Sequence, residues 1–384
     1  MRSSSVRASA ALALVLALAA PPAARADTVL VGPQHALKTP SEAATFARDG
    51  DVVEIEPGIY YGDAAVWTQN RLTIRARGGR AHLRADGAHA EGKAIWVIKG
   101  SATTIENIEF SGAKVADRNG AGIRLEGPGL TVRDSSFHDN ESGILASGNL
   151  ESDIVIEHSE FARNGAGGGS SHNLYIGTVR SFTLRYSYSH HAIIGHNVKS
   201  RAIKTYLLYN RIADEQDGRA SYAIDLPDGG LAFVMGNLIQ QGPETDNRTI
   251  VAYGAEGYKN LLNELYFVSN TVVNDDPKGG RFLVIRPGAD AVRVINNLFA
   301  GPGELLSGKA DSRSNLRTTK ADFVNPDKLD YRLKARGAGI GKGIDAGSPY
   351  GFSLRPSEEY RHPLGKGPRP SAGPLDLGAH QHSE

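Results

Sequence analysis

Cysteine is absent from all 384 residues. No disulfide can staple this chain, so an extensive hydrophobic core must hold it. Methionine and tryptophan are scarce, with two of each. Neither sign of charge dominates: 43 Lys and Arg stand against 42 Asp and Glu. That balance excludes the basic surface that nucleic acid requires, and no block of like charge marks a disordered tail. Long apolar runs are missing too, except at the very start.

There, Arg2 and Arg7 precede "AALALVLALAA", and "ARA" at Ala24–Ala26 supplies a small-x-small cleavage pattern. The apolar run is short for a membrane span. We expect a signal peptide over 1–26, cleavage after Ala26, and a secreted or periplasmic product with no membrane attachment. Glycine is plentiful, with 45 residues spread along the chain and asparagine often nearby. That combination suits many short strands joined by tight turns.

One phrase recurs: an aliphatic, two mostly polar residues, Asn or Ser, any residue, then an apolar one. It reads "VRDSSF" at Val132, "IEHSEF" at Ile156, "LLYNRI" at Leu207, "VMGNLI" at Val234, "FVSNTV" at Phe267 and "VINNLF" at Val294. A spacing in the low-to-mid twenties, with short alternating strands, predicts a solenoid whose coils bury their apolar faces on one another. The leucine spacing of a horseshoe is missing and a propeller blade is longer. The predicted fold is therefore all-β, a right-handed parallel β-helix. The recurring Asn or Ser is assigned to the bend, where Asn tolerates left-handed angles and its side chains can stack in ladders. "TPSEAATFARDGD" predicts an N-terminal capping helix with Thr39 as cap, Pro40 in its first turn and Glu42 closing a capping box. "DVVEIEPGIYYG" and "RLTIRARG" are read as the first strands. The solenoid is placed at 27–302, and 303–384 as an irregular tail packing back on it.

A second strand lies between the phrases, with copies "GIRLE", "GILAS", "HNLYIG", "GHNVKS", "SYAIDL" and "TIVAYG". Side chains alternate along a strand. The copies coincide when Ile123, Ile144, Leu174, Val198, Ile224 and Val251 point inward. Arg124, Asn173, Tyr175, Asn197, Lys199 and Asp225 then point outward. Tyr175, Lys199 and Asp225 form one column, Asn173 and Asn197 stack beside it, and His172 and His196 take equivalent places at the strand starts. Arg201 and Asp228 follow just beyond the strands. Ile193 and Ile194 are read as core.

"GDVVEIEPGIYYG", the N-x-apolar coils and the closing "DYRL", "GIDAG" and "DLGAHQ" resemble exported bacterial right-handed β-helix proteins of the pectate-lyase-like superfamily. The resemblance covers nearly the whole mature chain. "VKSRAIKTYLLYNRI" resembles the strand of polysaccharide lyase family 6, the alginate and chondroitin lyases, that supplies the catalytic lysine. Lys199 inherits that role by resemblance. The family's arginine is expected on the following coil, where Asp225 stands instead.

A groove along a solenoid suits a linear polymer, with Tyr175, Tyr188, Tyr222 and Tyr253 as aromatic platforms for sugars. For a uronic acid polymer the natural reaction is β-elimination. Lys199 and Arg201 are the cations that neutralise the sugar carboxylate or abstract the C5 proton, and Tyr175 or a histidine protonates the leaving oxygen. Because Asp225 favours a charged Lys199, the base is expected to be His172 or His196, or a deprotonated Tyr175, with histidine preferred. Asn173, Asn197, Tyr222, Asp228 and Arg124 are assigned to substrate binding. A hydrolase using Asp225 and Asp228, an epimerase, and a non-catalytic polysaccharide-binding or matrix protein are the alternatives. No cofactor is expected. Neither a calcium motif nor the ligand spacing of a transition metal is found. The chain is expected to be a monomer whose partner is a polysaccharide.

Overall fold

The computed structural model describes residues 26–370 and 373–382. The signal peptide expected over 1–26 lies, except for Ala26, outside the described residues. The chain winds into a parallel β-solenoid with three long sheets of twelve, ten and eleven strands. The twelve-stranded sheet runs from Thr28–Val31 to Asp311–Arg313, the eleven-stranded sheet from Gly58–Tyr61 to Leu316–Thr318, and the ten-stranded sheet from Ala65–Trp67 to Glu304–Ser307. Each coil contributes one strand to each sheet and pairs in parallel with the next coil. No helix among the described residues is long and apolar enough to cross a membrane.

The interior follows from the period-2 pattern. Ile123, Ile144, Leu174, Val198, Ile224 and Val251 are all fully buried, and Val198 pairs with Ile224, which pairs with Val251. An aromatic row occupies the N-terminal half: Trp96, Phe110, Phe137 and Phe161 follow one another with ring centroids 4.9–5.0 Å apart. That interval matches the separation of neighbouring strands, so Phe110, Phe137 and Phe161 stack ring on ring from coil to coil, and Trp96, on the ten-stranded sheet, meets Phe110 edge-on.

The bends carry a side-chain ladder. Asn210, Asn237, Asn270, Asn297 and Asn315 pass one hydrogen bond each, Nδ2 to Oδ1, at 3.0, 3.0, 3.2 and 2.9 Å. Ser135, Ser159 and Ser187 extend it toward the N-terminus through backbone N–H donors. The left-handed turn is not taken by the ladder residue, as the sequence suggested, but by the residue before it: Tyr209, Gly236, Ser269 and Asn296 have φ of 56°, 68°, 53° and 61°. The ladder amide is thereby left in position to serve two coils.

At the N-terminal end, Pro40–Phe46 is helical, and Thr39 accepts the Glu42 N–H at 3.3 Å. Glu42 accepts from the Lys38 N–H rather than from Thr39, so the reciprocal box is displaced by one residue. Thr28–Val31 forms a strand ahead of those read from the sequence and pairs with Val52–Ile55.

At the other end the coils continue past residue 302, with Glu304–Ser307, Asp311–Arg313 and Leu316–Thr318 joining the three sheets. The remaining chain packs outside. Leu354 joins Leu208, Phe233 and Tyr266 on the twelve-stranded sheet. Tyr331, Leu333, Tyr360 and Leu377 join Leu238, Val273 and Leu298 on the eleven-stranded sheet. These apolar tail contacts thus lie on two sheets, and the ten-stranded sheet carries the polar column.

Candidate functional site

On the ten-stranded sheet, Tyr175 pairs with Lys199, and Lys199 with Asp225, on strands Leu174–Ile176, His196–Ser200 and Tyr222–Leu226. The register continues toward the N-terminus through Leu145 to Arg124. Alternation accounts for the three members, because the aliphatics flanking them on their own strands, Leu174, Ile176, Val198, Ile224 and Leu226, are buried.

The column is closely held. Lys199 Nζ lies 3.4 Å from Asp225 Oδ2 and 3.1 Å from Glu256 Oε1. Arg201 makes four bonds. It donates to the Tyr175 hydroxyl at 3.0 Å, to Asp228 Oδ1 at 2.6 Å, and to both oxygens of Glu256 at 2.9 and 2.7 Å. Lys259 also reaches Asp228, at 2.8 Å. Lys199 and Arg201 therefore converge on one carboxylate. Arg201 is held charged: burial works against this, but the bonds to Glu256 and Tyr175 outweigh it. Burial likewise opposes the Glu256 anion, and Arg201 and Lys199 overcome it, keeping the carboxyl below its ordinary range.

Beside the column the rings of His172 and His196 stack with centroids 4.6 Å apart. His172 Nδ1 accepts the backbone N–H of His196 at 2.9 Å, so in the neutral ring the proton sits on Nε2. His196 Nε2 faces Asp225 Oδ2 at 3.4 Å. Burial drives both imidazoles well down from their usual value and keeps them neutral, with the charge of Lys199 adding to the effect. The same burial pushes Asp225 up to about 6, against the pull of Lys199. Asp225 Oδ1 and His196 Nδ1 are buried without a hydrogen-bond partner.

Several sequence expectations are corrected. Asn173 and Asn197 do not face outward; both are fully buried. They belong to a second ladder, in which Asn140, Asn164, Asn173 and Asn197 pass bonds of 3.0, 2.9 and 3.0 Å and end on Asp214 at 3.1 Å. A substrate cannot reach them without opening the bend. Lys199 is not freely exposed: it retains 9% of its surface, and Asp225 2%. Tyr253 is fully buried and donates to Gly230 O at 2.6 Å, and Tyr188 is buried on the eleven-stranded sheet. Ile193 is 40% exposed and Ile194 takes the left-handed turn, so neither is core. Tyr222 is half-buried and tilts against His196. Arg124 is half-buried, with its Nε unpartnered.

Glu256 and Lys259 were missed by the sequence reading. The available signal was positional: Arg201, Asp228 and Glu256 each fall just past the end of consecutive copies of the site strand.

The coils and their register define a right-handed parallel β-helix protein. The chain belongs to that family: the model of the right handed beta helix region matches residues 57–299. Among solved structures it is similar to pectate lyase Pel9A, with 13% identity and a TM-score of 0.65 over 94% of this chain and 97% of that one. It also matches alginate lyase from Paenibacillus sp. str. FPU-7, with 13% identity and a TM-score of 0.45 over 76% of this chain and 99% of that one. At 13% identity the likeness to pectate lyase Pel9A describes the fold alone. No curated protein matches the chain.

Proposed function

We propose that the protein cleaves a linear, uronic acid-containing polysaccharide by β-elimination at the Tyr175–Lys199–Asp225 column, outside the cytoplasm. The observation that carries this reading is the convergence of Lys199 and Arg201 on the Glu256 carboxylate. Two cations arranged around one carboxylate are what a uronate at the cleaved bond requires, since its charge must be neutralised before the C5 proton becomes acidic. In this reading Glu256 holds the place of the sugar carboxylate and yields it when substrate arrives. The half-buried Arg124, two strands beyond Tyr175 in the same column, suits a neighbouring uronate.

Tyr175 moves the protons. The two histidines are covered, and His172 Nδ1 is already used, whereas the half-buried Tyr175 hydroxyl accepts from Arg201 at the edge of the clamp. Abstraction of the C5 proton, formation of the C4–C5 double bond and departure of the C4 oxygen with a proton complete the elimination. Asp225 and the histidines position Lys199.

The test is incubation with a panel of acidic polysaccharides, following reducing ends and the near-ultraviolet absorbance of unsaturated uronic ends. Both signals should rise together with one polymer. Reducing ends alone would transfer the chemistry to a hydrolase. Tight binding without either signal would make the protein a polysaccharide-binding module.

A further inference from the structure

The eleven-stranded sheet carries a second cluster, independent of the column. His82, Glu109 and His138 sit on three successive coils, in strands Ala81–Arg84, Ile108–Ser111 and Ser136–His138. His82 Nδ1 lies 3.3 Å from Glu109 Oε1, and His138 Nε2 lies 3.0 Å from the same oxygen. One ligand atom from each residue falls within 4.8 Å of the others. We propose that this cluster binds a zinc-class divalent cation, with His82 Nδ1, Glu109 and His138 Nε2 as ligands and the fourth position open to water.

Two imidazoles and one carboxylate form a donor set that zinc takes when it keeps an open position. Ligands about 2.0–2.1 Å from a tetrahedral ion stand about 3.3 Å apart, so the existing separations need little adjustment. The remaining ring nitrogens are also committed. His82 Nε2 meets Ser111 Oγ at 2.7 Å, and His138 Nδ1 meets Asp139 Oδ2 at 2.7 Å. When each of these nitrogens carries the proton, the opposite nitrogen turns a lone pair toward the cluster. A carboxylate behind a ligating histidine is the usual support of a metal site. Asp139 is in turn fixed by Arg163 at 3.0 Å. The nearby cations are engaged elsewhere: Arg80 donates to Asp134 O at 2.9 Å, and Arg84 pairs with Asp86 at 3.0 Å. The three ligand side chains are 20–25% exposed, which leaves a path for the ion and its water. An ion here would tie three neighbouring coils together.

The experiment uses the untagged mature protein, Zn2+ as probe in calorimetric titration, and Co2+ as a spectroscopic substitute. One ion per chain is expected, with the visible absorption of tetrahedral Co2+ and a melting temperature raised by Zn2+. Glu109→Gln and His138→Ala should abolish the tetrahedral band and the melting shift. Asp139→Asn should weaken binding by about 10–100-fold. His380→Ala with His382→Ala, which removes the histidines near the C-terminus, should leave the stoichiometry of Zn2+ binding and the tetrahedral Co2+ band unchanged. No bound ion, or unchanged stoichiometry and affinity in His82→Ala and Glu109→Gln, would overturn the assignment.

Discussion

Arg201 and Glu256 face each other as a two-pronged ion pair, with Nη2 2.9 and 2.7 Å from the two carboxylate oxygens. If Glu256 holds a place meant for a uronate, Glu256→Gln should release the clamp. The side chain is 44% exposed, and pairs of that exposure are worth up to about 1 kcal/mol, so a KM decrease of up to about fivefold with little change in kcat is expected. An unchanged or raised KM would assign Glu256 to structure alone.

Lys199→Ala should cost stability as well as turnover. Asp225 is almost wholly covered, and one of its oxygens already lacks a partner. Losing Lys199 leaves a buried carboxylate without its cation, a loss of about 3–5 kcal/mol. Burial pushes the Asp225 carboxyl up to about 6, so below that pH it becomes neutral and no longer needs a cation. Denaturant unfolding at pH 8 and pH 5 should therefore show a large deficit at the higher pH and a smaller one at the lower. Equal deficits at both would mean that Asp225 does not titrate in this range.

Tyr175→Phe should leave melting unchanged and polymer binding intact while eliminating the near-ultraviolet product signal. If the variant retains activity and His196→Ala loses it with its fold preserved, proton transfer belongs to the histidine.

Asp214 provides a separate pH test. Burial raises its carboxyl to about 6, partly offset by the bond from Asn197. A folded pKa above the unfolded one contributes stability that is complete below about pH 4 and lost as pH rises through about 6. The unfolding free energy of wild type relative to Asp214→Asn should thus fall by about 3 kcal/mol between pH 4 and 7. The covered histidines act in the opposite sense, losing stability as pH falls below about 6.5, so the difference between the two proteins is the quantity to measure.

The coil period and the inward aliphatics were legible because burial imposes a strict alternation, and Val198, Ile224 and Val251 each satisfy it. The Tyr175–Lys199–Asp225 column followed from that register. Asn173, just before its strand, and Asn197, near the start of its own, were misread because alternation was carried to the strand starts, where the side chain is governed by the ladder and not by the pleat. Ile193 failed for a related reason, lying in a turn that interrupts the pattern. Glu256 was invisible to a column argument because it arrives from a loop after the next strand, and only the side-chain lengths of Lys199 and Arg201 connect it to the site. The His82–Glu109–His138 cluster has no spacing within any one strand, so it emerges only once three coils are stacked.

The second ladder also has a polarity. From Asn140 to Asn197 every amide gives its N–H toward the C-terminal end and takes one from the N-terminal side, an orientation fixed by backbone partners such as Phe110 O and the Asn140 N–H. The row is therefore a line of aligned dipoles whose moments add and strengthen one another in a dry interior. Its positive end emerges at Asn197, on the strand that bears Lys199, and the residue receiving it is the acid Asp214. A carboxyl suits that terminus, and a lysine or arginine would meet the field with the wrong sign. Through this row, coils far from the Lys199 column help set the electrical potential against which its charges are balanced.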